Sequence, residues 1–320
     1  MANDVLLLNR RHRARPEIAQ EFLAQRGCSL AEREVRYPID EEQLCELLHD
    51  IDGLITGLDV MTPRAYDHAN RLKVISTGGV GYDHVNIDEA TRRGVAVCIC
   101  AGCNNHSVAE LVFGMMIDLS RGISAADRAM RAGEWPAANM GPELWGKTLG
   151  VVGLGRVGKS VALLGRAFGM QVLAHDIAWD ITFAGQNGIS YVPFDRLLRE
   201  SDYVTLHTPL TALTRHLIDE RAIDLMKPSA ILINAARGPI VKEWALVEAL
   251  QSGRIAGAGL DTFQVEPHAD NPYTGFPNVV LTPHIGGSTA DAYERAYYLA
   301  LTNVANVLNG QPAHCQVNTL

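Results

Sequence analysis

The chain has 320 residues, a length that favours two domains, each able to bury a core of its own. Its formal net charge is -8, from 36 Asp and Glu against 28 Lys and Arg, which argues against nucleic acid as a main partner because phosphate-binding surfaces need clustered cations. No apolar run reaches the length of a membrane span, VLLL near the N-terminus is too short for a secretory signal, and the six cysteines therefore predict reduced thiols in a cytoplasmic protein.

The first hundred residues alternate short apolar runs with helical patterns, which is typical of a parallel sheet covered by helices. Helices are predicted over 16–26 and 40–49, and strands at 4–8, near 34–36, and at 53–57, 73–77 and 93–100. This part of the chain therefore predicts an α/β domain of its own.

A long helix is predicted over 107–123, where the sequence SVAELVFGMMIDLSRGI is apolar on most faces. Glu110 and Asp118 argue against a lipid environment, so we expect this helix to be buried between domains or subunits. Residues 102–105 before it are predicted to form a hinge, and a loop that carries Trp135 follows it.

Residues 148–176 combine an apolar strand, the pattern Gly153-x-Gly155-x-x-Gly158, a helix and a second strand that ends at Asp176. Gly153 suits a sharp turn, Gly155 lets the backbone approach a pyrophosphate, and Gly158 allows close contact between helix and sheet. The helix N-terminus offers N–H groups to the phosphates. Asp176 is spaced to accept hydrogen bonds from the adenosine ribose and to repel a 2′-phosphate, so the stretch predicts NAD rather than NADP.

Beyond Asp176 the alternation of strands and helices continues as one doubly wound sheet, and 290–309 predicts a last helix able to return to the first domain. Arg237, Glu266 and His284 each follow a predicted strand. Ligands collect at such strand ends, where an Arg fork binds a carboxylate, a His transfers the proton of a carbinol and a Glu orients that imidazole. Each residue alone also suits a structural role, but together with NAD they predict oxidation of 2-hydroxy acids or reduction of 2-oxo acids.

Cys98, Cys100, Cys103 and His106 are spaced in a way that is open to a zinc site. Cys98 and Cys100, however, lie on the predicted strand VAVCIC, where cysteine often serves as a small apolar residue. The chain offers no second cluster of ligands, so we predict no metal.

Eight segments in order resemble the D-isomer-specific 2-hydroxyacid dehydrogenase family: GGVGYDHVNID, SVAELVFGMM, GKTLGVVGLGRVG, AFGMQVLAHD, LHTPLTALTRHLI, MKPSAILINAARGPIV, SGRIAGAGLDTFQVEP and NVVLTPHIGGST. The likeness covers nearly the whole chain. It implies two flavodoxin- or Rossmann-like α/β domains, with a substrate domain at 1–103 and 287–320 and an NAD-binding domain at 104–286 inserted in it. It also implies a homodimer with the helix 107–123 and its flanking loop near the interface.

The resemblance also implies a role for individual residues. Arg237 would bind the substrate carboxylate together with the backbone at Gly79, Val80 and Gly81, while His284 would be the acid/base and Glu266 its partner. The residues implied around the NAD cofactor are Gly153, Gly155, Arg156, Val157, Gly158, Asp176, His207, Thr208, Pro209, Ala235, Arg237, Asp261, His284 and Gly286.

The sequence leaves two classes of substrate open, a small unphosphorylated acid and a phosphorylated one. Phosphoglycerate dehydrogenases of the family usually carry a basic residue where this chain has Thr77, which favours a small acid of the glyoxylate or hydroxypyruvate type. The segments NAARG and LDTFQVEP are closer to D-3-phosphoglycerate dehydrogenases, whose phosphate would need cations such as the cluster Arg10 to Arg15. A second class of function is an NAD-sensing interaction protein, like the carboxy-terminal binding corepressors of the family.

Overall fold

Two all-parallel β-sheets, each covered by helices, make up the computed structural model, which describes residues 3–137, 140–268 and 270–320. The chain divides into two units, Met1–Asn104 with Ala290–Leu320, and Asn105–Thr289 inserted between them. This architecture confirms the predicted α/β class with one doubly wound domain inserted in the other.

The strands are β1 Asn3–Leu7, β2 Cys28–Leu30, β3 Gly53–Thr56, β4 Val74–Thr77, β5 Ala96–Cys98, β6 Thr148–Val152, β7 Gln171–His175, β8 Ile189–Tyr191, β9 Tyr203–Leu206, β10 Ile231–Asn234, β11 Gly257–Leu260 and β12 Val279–Leu281. The helices are α1 Pro16–Ala24, α2 Glu41–Leu48, α3 Pro63–His68, α4 Ile87–Arg92, α5 Asn105–Arg121, α6 Ile123–Arg131, α7 Arg156–Ala167, α8 Ile181–Gln186, α9 Phe194–Glu200, α10 Glu220–Leu225, α11 Glu243–Gln251 and α12 Ala290–Leu308. Several helices begin where an Asp, Asn or Thr side chain accepts a backbone N–H, the usual N-cap bond: Asp40, Thr62, Asn86, Asp180 and Asp219.

The first unit has five strands in the order β2-β1-β3-β4-β5, and α12 packs on β3 and β4 of this sheet. The strand expected near 34–36 is wrong: β2 pairs with β1 from Cys28 to Leu30, directly after Gly27 at φ +70. The chain therefore enters the sheet as soon as α1 has ended, while the polar and apolar alternation at 34–36 belongs to irregular backbone with Val35 partly buried.

The second unit has seven strands in the order β12-β11-β10-β9-β6-β7-β8. Its order reverses between β6 and β9, and ligands of open parallel sheets bind at such a point, beyond the carboxyl ends of the strands. The strands also end level, with the aligned pairs Val152–His175, Val152–Leu206, Asn234–Leu206, Asn234–Leu260 and Leu260–Leu281. The loops that follow these strands therefore start from one edge.

The long helix is α5, which is buried in the second unit against α7 and the strands β10, β11 and β12. It ends at Arg121 because Gly122 adopts a left-handed φ of +65, and α6, which the sequence did not predict, follows. None of the helices in the described part of the chain is long and apolar enough to cross a membrane.

Candidate active site

The glycine loop joins β6 to α7, and each glycine has a distinct environment. Gly153 has φ +92, and a Cβ there would lie 2.8 Å from the carbonyl of His207. A Cβ on Gly158 would lie 2.0 Å from the carbonyl oxygen of Gly153, so the helix could not approach the loop with any larger residue. A Cβ on Gly155 would meet no atom within 4 Å, which leaves this backbone open to a ligand. Arg156 and Val157 then start α7, and the first N–H groups of this helix are of the kind that bind anions.

Asp176 follows β7 and contacts the glycine loop directly. Its Oδ2 accepts a hydrogen bond from the N–H of Leu154 at 2.7 Å, and its Oδ1 accepts one from Ala178 at 3.0 Å. Each oxygen keeps a further lone pair for a hydroxyl donor. Asp176 is thus anchored to the glycine loop, and its place beside a bound nucleotide stays a prediction.

His207, Thr208 and Pro209 follow β9, and the backbone of Thr208 lies against Gly153. The hydroxyl of Thr208 is buried yet has no hydrogen-bond partner in the described chain. Because buried hydroxyls are nearly always paired, this one fits a bound ligand. The His207 ring bonds the Thr205 hydroxyl at 2.9 Å, and burial lowers the pKa of His207 to about 3, so this imidazole is neutral.

Glu266 and His284 form a close pair at the ends of β11 and β12. His284 Nδ1 lies 2.6 Å from Glu266 Oε2, while Glu266 Oε1 accepts the N–H of Phe263 at 2.9 Å. The side chain of His284 is 47% exposed and that of Glu266 is 34% exposed. The imidazole, whose Nδ1 faces Glu266, is therefore accessible from solvent. His284 also adopts φ +52, a left-handed conformation that is uncommon for non-glycine residues and that clusters at functional sites, although Asp50 and His216 share it here.

Asp261, buried at the end of β11, holds the loop of His284 in this conformation. Its Oδ1 accepts bonds from the Thr282 hydroxyl at 2.6 Å and the N–H of Ile285 at 2.8 Å, and its Oδ2 accepts the N–H of Gly286 at 2.8 Å. A Cβ on Gly286 would lie 2.9 Å from Asp261 Oδ2, so glycine permits this approach. Both carboxylate oxygens are therefore engaged by the chain, on either side of His284.

Arg237 follows β10, and a buried asparagine shapes its turn. Asn234 donates through Nδ2 to the carbonyl of Arg237 at 2.9 Å and accepts the N–H of Ala236 at 3.1 Å. The partly buried Arg237 guanidinium donates to the carbonyl of Ala236 at 2.8 Å, and Ala235 begins the turn. Asn234 was not among the predicted residues, although a polar residue that closes the apolar run ILIN is a signal that could have found it.

The backbone of Gly79, Val80 and Gly81 follows β4 in the first unit. The carbonyl of Gly79 accepts bonds from the Thr77 hydroxyl and from the N–H of Cys100, both at 2.7 Å. A planar trans peptide then directs the N–H of Val80 away from these donors. None of the N–H groups of residues 79–81 donates to another group in the described chain, which suits the binding of an anion.

The cysteines near 100 are buried and lie among apolar neighbours. Burial raises the pKa of Cys98 to about 12 and that of Cys103 to about 11, which disfavours the thiolate that a metal requires. Within residues 3–137, 140–268 and 270–320, no group of three or more His, Cys, Asp or Glu is arranged to hold a metal.

Comparison with known proteins identifies the family of this chain. Residues 113–286 match the family model described as "D-isomer specific 2-hydroxyacid dehydrogenase, NAD binding domain". A glyoxylate reductase of Thermofilum pendens is 43% identical over 88% of this chain and 86% of its own length. The chain belongs to the D-isomer specific 2-hydroxyacid dehydrogenase family.

Further relatives agree with this membership. A D-3-phosphoglycerate dehydrogenase of Methanocaldococcus jannaschii is 39% identical over 90% of this chain, which spans only 56% of that relative. The crystal structure of the TT0316 protein from Thermus thermophilus superposes with a TM-score of 0.86 at 34% identity, covering 98% of this chain and all of the other. This 2-hydroxyacid dehydrogenase is thus an NAD-dependent oxidoreductase, and the predictions of family, enzyme class and cofactor are confirmed.

Within the dehydrogenase, the second unit brings most predicted cofactor and catalytic residues to one edge of its sheet, since they follow β6, β7, β9, β10, β11 and β12. The residues at 79–81 lie at the corresponding edge of the other sheet, after β4. Their individual roles stay predictions.

Proposed function

We propose that the protein reduces a small 2-oxo acid of the glyoxylate or hydroxypyruvate type to its D-2-hydroxy acid with NADH. The Glu266–His284 hydrogen bond of 2.6 Å carries the proposal, because it gives one accessible imidazole a fixed orientation and a carboxylate to stabilise its charged form. When bound, NADH supplies the hydride. The inserted unit is then the cofactor domain, and the unit of both chain ends is the substrate domain.

The residues of the chain divide the remaining work. The Arg237 guanidinium binds the substrate carboxylate with its fork of N–H donors. The free N–H groups of residues 79–81 are donors suited to an anionic group. His284 donates its proton to the carbonyl oxygen as the alcohol forms, and Glu266 stabilises the imidazolium before that transfer. Thr208, Asp176 and the glycine loop hold the cofactor, with Asp261 and Gly286 beside its nicotinamide.

Thr77 supports a substrate with an uncharged tail. It is fully buried and its hydroxyl is used by the carbonyl of Gly79, so this position presents no cation to a phosphate. D-3-phosphoglycerate dehydrogenase is the alternative, since two of the relatives carry that name and Arg10 and Arg11 are exposed, each lying over a tyrosine ring.

The test is the oxidation of NADH by the purified protein with glyoxylate, hydroxypyruvate, 3-phosphohydroxypyruvate and pyruvate. Turnover of an unphosphorylated small acid, with at least about tenfold lower kcat/KM for the phosphorylated one, is the expected result. Preference for the phosphorylated acid that disappears in Arg10→Ala with Arg11→Ala would reverse the choice of substrate. Arg15→Ala, an exposed arginine of the same cluster, is the matched control.

We further propose a homodimer that contacts through the segment around α6. Trp135, Met140 and Trp145 are 88%, 94% and 73% exposed, which is unusual for such large apolar side chains and supports a second copy as their cover. Light scattering coupled to gel filtration should give twice the mass of 34.8 kDa, and Trp135→Glu should shift it towards one chain. The six unpaired cysteines support a cytoplasmic location, which cell fractionation tests.

A further inference from the structure

The described residues of the loop that carries Glu266 form neither helix nor strand, and the proposed function depends on the orientation of this carboxylate. The loop leads from β11 towards β12, and Glu266 lies in its first part, residues 261–268. The bond from Phe263 N–H to Glu266 Oε1 fixes the side chain relative to its own loop, but not the loop relative to the sheet. The position of Glu266 against His284 therefore depends on what anchors the loop.

One side of the loop is anchored on the segment that follows Arg237. A Cβ on Gly238 would lie 2.0 Å from the backbone of Phe263, so the two segments touch along their main chains. Gln264 donates through Nε2 to the carbonyl of Val241 at 2.9 Å. Both contacts lie before Glu266 in the chain.

The other side is anchored by a pair of side chains that no role so far has used. His268 Nε2 lies 3.3 Å from Glu243 Oε2, and their side chains are only 15% and 17% exposed. The Phe263 ring meets His268 edge-on with centroids 5.8 Å apart, and the buried Tyr273 packs its hydroxyl towards the carbonyl of Glu243. The contact between Glu243 and His268 is therefore shielded from solvent, where a hydrogen bond is electrostatically stronger than in water.

Glu243 stands on rigid structure, which makes it a suitable anchor. It is the first residue of α11, where the helix dipole favours a carboxylate, and the next turn buries Ala245 and Leu246 in the core of the unit. His268 is only two residues beyond Glu266. The pair thus fixes the stretch directly after Glu266, as Gln264 fixes the stretch before it.

We propose that Glu243 and His268 are positioning residues, which hold the loop so that Glu266 stays directed at His284. The inference rests on the proposed function, because it assumes that the Glu266–His284 pair transfers the proton. It assigns to the two residues an effect on turnover that passes through Glu266 and leaves substrate and cofactor binding unchanged.

The experiment compares His268→Leu, which cannot bond Glu243, with His268→Gln, which retains a donor of similar reach. We expect His268→Leu to lower kcat about tenfold, since small displacements of a catalytic group are costly, with the KM for oxo acid and NADH within about twofold. His268→Gln should recover most of this loss. In a Glu266→Gln background, His268→Leu should lower kcat no further, because both changes act on the same contact between residue 266 and His284.

Lys242→Met is the matched control, since it breaks the exposed Lys242–Glu220 ion pair one residue from Glu243 without touching the loop. It should keep wild-type kcat. Where His268→Leu does not fold, Glu243→Gln removes the charge with the same shape, and about a threefold lower kcat is expected.

Three results would each overturn the inference. The first is an unchanged kcat in His268→Leu. The second is a loss of kcat from His268→Leu that is as large in the Glu266→Gln background as in the wild type, and the third is a kcat in His268→Gln that is as low as in His268→Leu. If the wild type has no turnover, or His284→Ala keeps it, the proposed function fails and the inference with it. If the wild type turns over, His284→Ala abolishes that turnover and His268→Leu leaves it unchanged, the inference is rejected and the proposed function stands.

Discussion

Replacing Asp261 with Asn removes one acceptor from the loop that carries His284, and we expect it to lower both stability and turnover. The carboxylate is 1% exposed and accepts bonds from Thr282, Ile285 and Gly286. An amide supplies one oxygen and one NH2 group of the same shape. Whichever way it is turned, the NH2 group then faces a donor at Ile285 or Gly286.

The size of the effect follows from these bonds. Hydrogen bonds to a charged group contribute about 1.5–3 kcal/mol each, and a buried donor left unpaired carries a penalty of similar size. Since one bond is lost and the others lose their charge, we expect the free energy of unfolding to fall by about 3 kcal/mol. Movement of the loop also displaces His284, so kcat should fall about 10- to 100-fold.

Urea titration followed by tryptophan fluorescence suits this test, because all four tryptophans, at 135, 145, 179 and 244, lie in the unit that holds Asp261. Asp219→Asn is the control: Asp219 caps α10 through one bond to Ala222, and Asn caps a helix equally well, so stability should change by less than about 0.5 kcal/mol. Wild-type stability in Asp261→Asn would refute the account of the buried network. Lower stability with full turnover would refute its link to His284.

Three further predictions concern single side chains. His284→Ala should lower kcat about 10²–10⁴-fold, the usual worth of a positioned acid/base, and near-normal turnover would remove His284 from that role. Arg237→Lys should raise the KM for the oxo acid because the fork is lost while the charge stays, and an unchanged KM would count against carboxylate binding by Arg237. Burial lowers the pKa of His12 to about 4. As the pH drops below about 6.5, the unfolded chain therefore binds a proton at this residue before the folded chain does, and the free energy of unfolding falls by about 2 kcal/mol between pH 6.5 and 5. His12→Phe, which keeps the stack on Tyr297, should flatten the fall in melting temperature over that range, and an identical pH profile would contradict the assignment.

The parts of the site that the sequence predicted best depend on neighbouring residues. The glycine loop is one example, because the close contact of Gly158 involves Gly153 five positions earlier, and the turn, helix and strand all lie within one continuous stretch. The strand near 34–36 failed for the opposite reason. Three residues of alternating character carry too little pattern, and pairing with β1 selected Cys28–Leu30 instead.

The parts that the sequence could not predict depend on residues brought together by the sheet. Asn234 and Asp261 are ordinary polar residues in the sequence, yet the N–H of Asp261 donates to the carbonyl of Asn234 at 2.9 Å and joins the turn of Arg237 to the loop of His284. Their 27-residue separation hides this bond from any local pattern. The pair of Glu243 and His268 is hidden in the same way.

The contact between Glu266 and His284 depends partly on the strand order, which the sequence predicts, and partly on packing, which it does not. Counting strands is enough to predict that both residues follow adjacent parallel strands, and Leu260 and Leu281 are indeed aligned. Adjacent strands lie about 4.8 Å apart, so this alignment alone leaves two flexible side chains many ways to miss each other. The contact of 2.6 Å is selected by what lies behind it: Asp261 bends the chain at His284, Phe263 holds the carboxylate, and the loop of Glu266 is pinned to the segment after β10. On the proposed function, a sequence in which Glu266 and His284 are kept and these supports are lost should fold the same sheet and still react slowly.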